Sequence, residues 1–213
     1  MLGKMFFRVI KILKNHKGER IEMELFFKDV GNKIQEAVKK DIKEIFKEVG
    51  DERIYSVALV TDSDCITLFL ALNTYEYMKK RDEEYIEMLR DDLSEKAIKS
   101  VREGSASLTK WTPDEWGYSD GKNSELNKIS KLLYEKEEAN SEEYARYTEL
   151  FFETVTTAFK NLIEAETFGE NSGEITYFIS MSDDERTTEI ENYSARLLNS
   201  ENVYEKFLNR IEL

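Results

Sequence analysis

"RIYSVALVTDSDCITLFLALN", residues 53–73, is the stretch from which the fold is read. It contains two runs rich in β-branched, aromatic and other apolar residues, 53–61 and 65–73, parted by Asp62, Ser63 and Asp64. Such residues suit a pleated, packed backbone, and Asp and Ser favour turns. The pattern predicts two antiparallel strands joined by a tight turn. Nearly every position in both runs is apolar, where a strand with one wet face would alternate. The hairpin is therefore expected at the centre of the molecule, covered on both sides. Cys65, the one cysteine, is expected as a small buried hydrophobe in the second strand. A single cysteine excludes an internal disulfide and fits a reducing, cytoplasmic compartment.

Helical signals surround the hairpin. Phe26, Val30, Ile34, Val38, Ile42, Ile45 and Val49 recur at helical spacing, and Gly50 is a natural stop. Asn73 with Glu76 forms a capping box that opens one or two helices running to about Arg102, with 79–84 as a break. "SASLTKW", 105–111, is expected as a third strand, and "EITYFISMS", 174–182, as a further strand. Between these two lie a short helix from Ser124 and a long one near 141–168, with Tyr144, Tyr147, Phe151, Val155, Ala158 and Leu162 on one side. Ser182 with Glu185 reads as another capping box, opening a helix towards Leu198, and a last helix follows Ser200. No repeat and no linker divides the chain. The expected fold is one α+β domain, 23–213, with a small, mostly antiparallel sheet (the hairpin 53–73 plus 174–182) surrounded by helices.

Both tryptophans and the only proline fall inside "KWTPDEWGY", 110–118. A local reading accounts for each residue. Thr112 is placed as N-cap, Pro113 at the first helical position, and Glu115 completes Thr-x-x-Glu. Trp111 and Trp116 then occupy the two positions of a hydrophobic staple. On this reading Thr112→Ala costs about 1 kcal/mol. Trp is also a preferred interface anchor, so a surface role for Trp111 or Trp116 stays open beside the structural one.

"YSVALVTDSD" (55–64), "LALNT" (70–74), "KWTPDEWGY" and "ITYFISMSDDE" (175–185), in this order and at these separations, resemble a bacterial family of unknown function, family 4303. The resemblance covers roughly residues 23–210, and the Trp-x-Pro-x-Glu-Trp piece is its most specific part. No reaction is implied by it. The resemblance implies kinship with small acidic proteins of toxin–immunity loci.

Composition narrows the chemistry. The chain has 213 residues, 40% hydrophobic and 12% aromatic, with a net charge of −13. That is too apolar for a disordered acidic chain. Residues 161–195 hold nine carboxylates and one base, Arg186. Such a surface repels nucleic acid and attracts basic partners. His16 is the only histidine, so neither a Ser-His-Asp nor a Cys-His arrangement can be built in the domain, and no His/Cys zinc site either. No glycine-rich phosphate loop is present. Carboxylates remain: Asp62 and Asp64 on one turn, Asp183, Asp184 and Glu185 at a helix start. If strands 54–61 and 174–182 are parallel neighbours, the two groups meet at one sheet end. There they would suit Mg²⁺ or Ca²⁺, with turn formation and helix-dipole complementarity as the plainer reading.

The functional expectation is a non-enzymatic acidic domain that binds a basic protein. Its most concrete form is an immunity protein that neutralises a basic toxin. The contacts are expected at Trp111, Trp116, Asp183, Asp184 and Glu185. No cofactor is expected, nor nucleic acid or a membrane as partner. The alternatives are a carboxylate-based, metal-dependent enzyme and a regulatory scaffold. Residues 1–22 stand apart, with six Lys/Arg against two Glu. Two readings compete there. In one, they are translated upstream sequence ahead of a natural start at Met23. In the other, they form a basic amphipathic arm, with Phe6, Phe7, Ile10 and Leu13 at helical spacing, that docks on the domain or lies on a membrane surface.

Overall fold

A computed structural model describes the backbone of residues 2–121, 124–138, 143–169 and 172–210, and the side chains among these from 18 onward, except those of 19, 137, 138 and 172. The side chains of Phe6, Phe7, Ile10, Leu13 and His16 thus lie outside the described residues.

The chain begins with α1 (Leu2–Val49), followed by β1 (Ile54–Thr61), β2 (Phe69–Thr74), α2 (Tyr75–Met88) and α3 (Glu95–Arg102). A single 3₁₀ turn, Pro113–Glu115, precedes β3 (Tyr118–Ser119). Then come α4 (Glu125–Glu138), α5 (Tyr144–Glu164), β4 (Thr176–Met181), α6 (Thr187–Leu198) and α7 (Glu201–Leu208). The four strands form one sheet in the order β3-β2-β1-β4. β1 pairs antiparallel with β2 and β2 with β3, whereas β1 and β4 run parallel. The α+β class holds, with a mixed sheet. The hairpin is central and covered on both faces, as its unbroken apolar pattern requires.

Several local expectations are corrected. β2 starts at Phe69, because Asp62 draws the chain after β1 into a wider turn by accepting from Ile66 N and, at 3.4 Å, Thr67 N. Cys65 is buried but sits in that turn at φ 58°, not in a strand. Segment 105–111 is no strand; its amides at Leu108 and Thr109 bond to Asp82 instead of to a neighbouring strand. The cap of α2 is Thr74, whose hydroxyl accepts from Tyr77 N, while Asn73 stays within β2. α2 runs through 79–84 without a break. α6 starts at Thr187 with no side-chain cap, so the Ser182–Glu185 box does not form.

The sheet's two faces are filled differently. Val57, Leu59, Leu70, Leu72, Tyr177 and Ile179 face a large core supplied by α1, α4 and α5. α1 contributes Met23, Phe27, Val30, Ile34, Val38, Ile42, Ile45 and Val49, one stripe of a 3.6-residue helix, and ends at Gly50 with φ 59°. On the opposite face the row Ala71–Ala58–Phe178 runs across three strands. The two alanines leave room that Trp116 and Trp111 fill, together with Phe207 of α7. An irregularity in register between Ile54 and Ser56 accompanies the packing of Tyr55 against both indoles.

The long sides of the sheet are closed by side chains. Along β4, Asn199 bonds both Tyr177 N and O, Ser194 bonds both Ile179 N and O, and Thr187 donates to Met181 O. Along β2, Ser130 bonds both Leu68 N and O, Asp120 bonds Leu70 N and O through its carboxylate and amide, and β3 pairs the next position. Each surrogate meets every second residue, the spacing at which a strand's groups point outward. An added strand therefore finds these positions already taken.

Candidate functional site

Parallel pairing of β1 with β4 sets Thr61 opposite Met181, so both strands deliver their next residues to the same end of the sheet. From β1 come Asp62, Ser63 and Asp64; from β4 come Ser182, Asp183, Asp184 and Glu185. Ser182 N donates to Thr61 O at 2.9 Å, which ties the two turns together. Arg186 is the clasp. Its guanidinium donates to both oxygens of Asp184 (2.8 and 2.7 Å) and reaches Ser63 O at 3.4 Å. Tyr144 of α5 donates to the same carbonyl at 2.9 Å. The Arg186 hydrogen bonds hold the Asp184 carboxyl down at about 2. Burial, with Asp62 close by, pushes the Cys65 thiol up to about 12, so it is no nucleophile at neutral pH.

Among the described residues, none of the four remaining acids here makes an ion pair. Asp64, Asp183 and Glu185 are exposed, and Asp114 joins them from the loop that carries the tryptophans. Partial desolvation, together with the nearby charges of Asp183 and Glu115, raises the Asp114 carboxyl above its ordinary range. Asp183 holds φ 52° without being glycine, a conformation that Asp tolerates better than most residues. The sequence expectation that the two acidic turns meet is met in this geometry. Asp62, however, spends one oxygen on backbone amides, and Asp184 is taken by Arg186. Among the described residues no group of three His, Cys, Asp or Glu side chains is placed to hold a metal ion.

The tryptophans lie on the adjoining face. Trp116 is buried and Trp111 half-buried. Both meet Tyr55 and Phe178 edge-on, and Trp111 also meets Phe207 at 5.0 Å. Thr112 makes no capping bond, and Glu115 turns away to pair with Arg81 at 2.7 Å, so the capping box is absent. A single turn is too short to need one, and the indoles are held by the sheet. Three contacts fix the loop. Asp82, buried on α2, accepts from Leu108 N, Thr109 N and Thr109 Oγ1. Lys110 O accepts from Tyr55 OH and Trp116 Nε1. Gly117 lies flat on the Tyr77 ring, where a Cβ would come within 2.5 Å of ring carbon. Lys110 Nζ rests over the Trp111 and Tyr55 rings, 5.0 and 5.8 Å from their centroids.

Sequence reading missed Arg186, Asp114 and Asp82. Asp82 carried a signal: Met78, Asp82 and Ile86 share one helical stripe, and an acid in an apolar stripe marks a buried acceptor. Asp114 carried none, since its neighbour Asp183 comes from a distant segment; Arg186 stands two residues from Asp184, but its reach to Ser63 crosses the fold.

No helix among the described residues is long and apolar enough to cross a membrane. No curated protein and no solved structure matches the chain significantly. A family profile matches residues 34–200, which include the hairpin, the tryptophan loop and both acidic turns; the chain belongs to the family described as Domain of unknown function (DUF4303).

Proposed function

We propose that this domain is a non-enzymatic, acidic protein-binding module whose partner is a basic protein, and that the acidic sheet end is the contact. One observation carries the reading. Asp64, Asp114, Asp183 and Glu185 converge from three segments and remain exposed, while Arg186 is committed to Asp184. Like charges gathered this way cost stability unless a cation relieves them. Trp111, half-buried in the same loop as Asp114, is the kind of aromatic residue that anchors interfaces. The occupied sheet edges argue for docking on side chains, not for addition of a strand.

In its most concrete form the module is an immunity protein that covers the basic substrate groove of a toxin, imitating a polyanion. Charge would speed the encounter. The free, buried Cys65 suits a cytoplasmic site of action, and the net charge disfavours nucleic acid. The test is capture of the partner by the full chain, then association kinetics against salt. Association should slow as salt rises, and slow at least tenfold with Asp64→Lys, Asp183→Lys and Glu185→Lys combined. Binding that ignores salt and these substitutions, or a gel shift with DNA or RNA at moderate salt, would reject the reading.

A further inference from the structure

Between α2 and the end of α3 lies a pocket of about 220 Å³, and none of the residues lining it belongs to the acidic sheet end. Its apolar walls come from Met78, Val101 and Ala106. Asp82 also lines it, although only 4% of that residue is exposed. The latch on the tryptophan loop uses one oxygen of Asp82. Oδ1 takes all three bonds, from Leu108 N, Thr109 N and Thr109 Oγ1, at 2.9–3.0 Å. Oδ2 takes no hydrogen bond among the described residues, and it is not sealed in the interior. A carboxylate removed from water is costly unless its charge is answered. Asp82 makes no ion pair among the described residues; Arg81 beside it is taken by Glu84 and Glu115.

The rest of the lining narrows what would answer that charge. Arg102 lines the pocket, but Glu83 holds it through Nε and Nη2 at 3.1 Å, so it does not serve Asp82. Lys79, one turn before Asp82, is exposed and does not pair with it. Val101, Arg102 and Gly104 bring the C-terminal end of α3 to the pocket, and that end of a helix favours positive charge. The site thus suits a cation, carried on an apolar stem that lies against Met78 and Val101. The kind of cation follows from Oδ1. With that oxygen filled by three donors, a guanidinium cannot form its two parallel bonds to the carboxylate. An ammonium is a point charge and needs Oδ2 alone. The volume falls below the roughly 300–1,000 Å³ of sites for drug-sized ligands, which leaves room for a short chain.

We propose that this pocket binds a primary ammonium group on a short alkyl stem, received by Asp82 Oδ2. A free alkylamine and the lysine side chain of another protein share this chemistry. The inference does not rest on the acidic-end reading. n-Butylamine hydrochloride is titrated into the full chain at neutral pH, and the backbone amide signals of Leu108 and Thr109, which bond the same carboxylate, are followed by NMR. Saturable shifts are expected at roughly millimolar amine, with none from n-butanol and weaker binding of n-butylguanidine. Asp82→Asn keeps an oxygen for the latch and should weaken binding roughly tenfold. Ala106→Phe, which fills the space with Asp82 intact, should abolish it. Lys79→Ala should tighten it by removing a competing ammonium. Unchanged amide signals of α1 and α5 show that each variant is folded. Nα-acetyl-lysine methylamide separates the two sources: binding tighter than that of butylamine assigns the pocket to a lysine side chain, and weaker binding assigns it to a free amine. Absence of saturable shifts with butylamine overturns the proposal. So do equal shifts with butanol, tighter binding of the guanidine, or binding that Asp82→Asn and Ala106→Phe both leave unchanged. Loss of binding in the combined Asp64→Lys, Asp183→Lys and Glu185→Lys variant also overturns it, since the ammonium would then sit at the acidic end.

Discussion

Val57, Leu59, Tyr177 and Ile179 look into a core built by three helices, whereas Ala58, Val60 and Phe178, one residue along on the same strands, look at the tryptophan loop, with Ala195 of α6 and Phe207 of α7 beside it. On the helical side, burial is spread over many aliphatic and aromatic side chains from long elements. On the loop side a few aromatic rings do the covering, and their backbone is held by Asp82, the Lys110 carbonyl and Arg81–Glu115. Helices bring their own hydrogen bonds and need only an apolar stripe. A loop must have its amides satisfied by something else, so that side depends on individual polar atoms. The lesson is that redundancy differs between faces of one sheet. The helical face tolerates small losses, and the loop face concentrates its stability in single residues.

Trp116→Ala should give the largest effect, a loss of about 4 kcal/mol in denaturant unfolding, because the indole fills space above two alanines that cannot expand. Hydrogen exchange sharpens the comparison: amides in 105–117 and α7 should lose protection while those of α1 and α5 keep theirs. Equal loss in both places would mean that the two faces open as one unit. Asp82→Ala comes next, at about 2–3 kcal/mol, since it strands two amides and a hydroxyl that one carboxylate oxygen now receives. A melt like wild type would show that water replaces the latch. Thr112→Ala is the smallest, within about 0.5 kcal/mol by the same measurement, because its side chain caps nothing. A loss near 1 kcal/mol would restore the local cap and weaken the view that the sheet alone holds the indoles.

Legibility in the sequence follows the same division. Elements that repeat a period were readable: the α1 stripe, the hairpin, β4 and α5. The parallel pairing of β1 and β4 was posed as a condition, and the meeting of the acidic turns followed from it. Caps were read too eagerly. Asn73, Thr112 and Ser182 all stand in capping sequences, yet each position's geometry is decided by a tertiary partner or by its place in a strand. The irregular loop 105–111 carries a strand-like composition, and only the distant Asp82 tells it apart. At the candidate site, the acids could be named beforehand, and Arg186 pairs with its near neighbour Asp184, but its reach to Ser63 and Asp114's approach depend on residues far apart in the chain.

Ser130 and Ser194 sit on helices, and Asn199 just after α6, at positions where the surrounding pattern would accept an alanine. A hydrophobicity profile would score such a change as neutral or better. In the folded chain it would uncover backbone at Leu68, Ile179 or Tyr177 and turn a closed sheet into a template for other chains. These small polar residues therefore set a limit on solubility. A sheet whose outward backbone groups are taken in this way is kept from pairing with copies of itself along its strands.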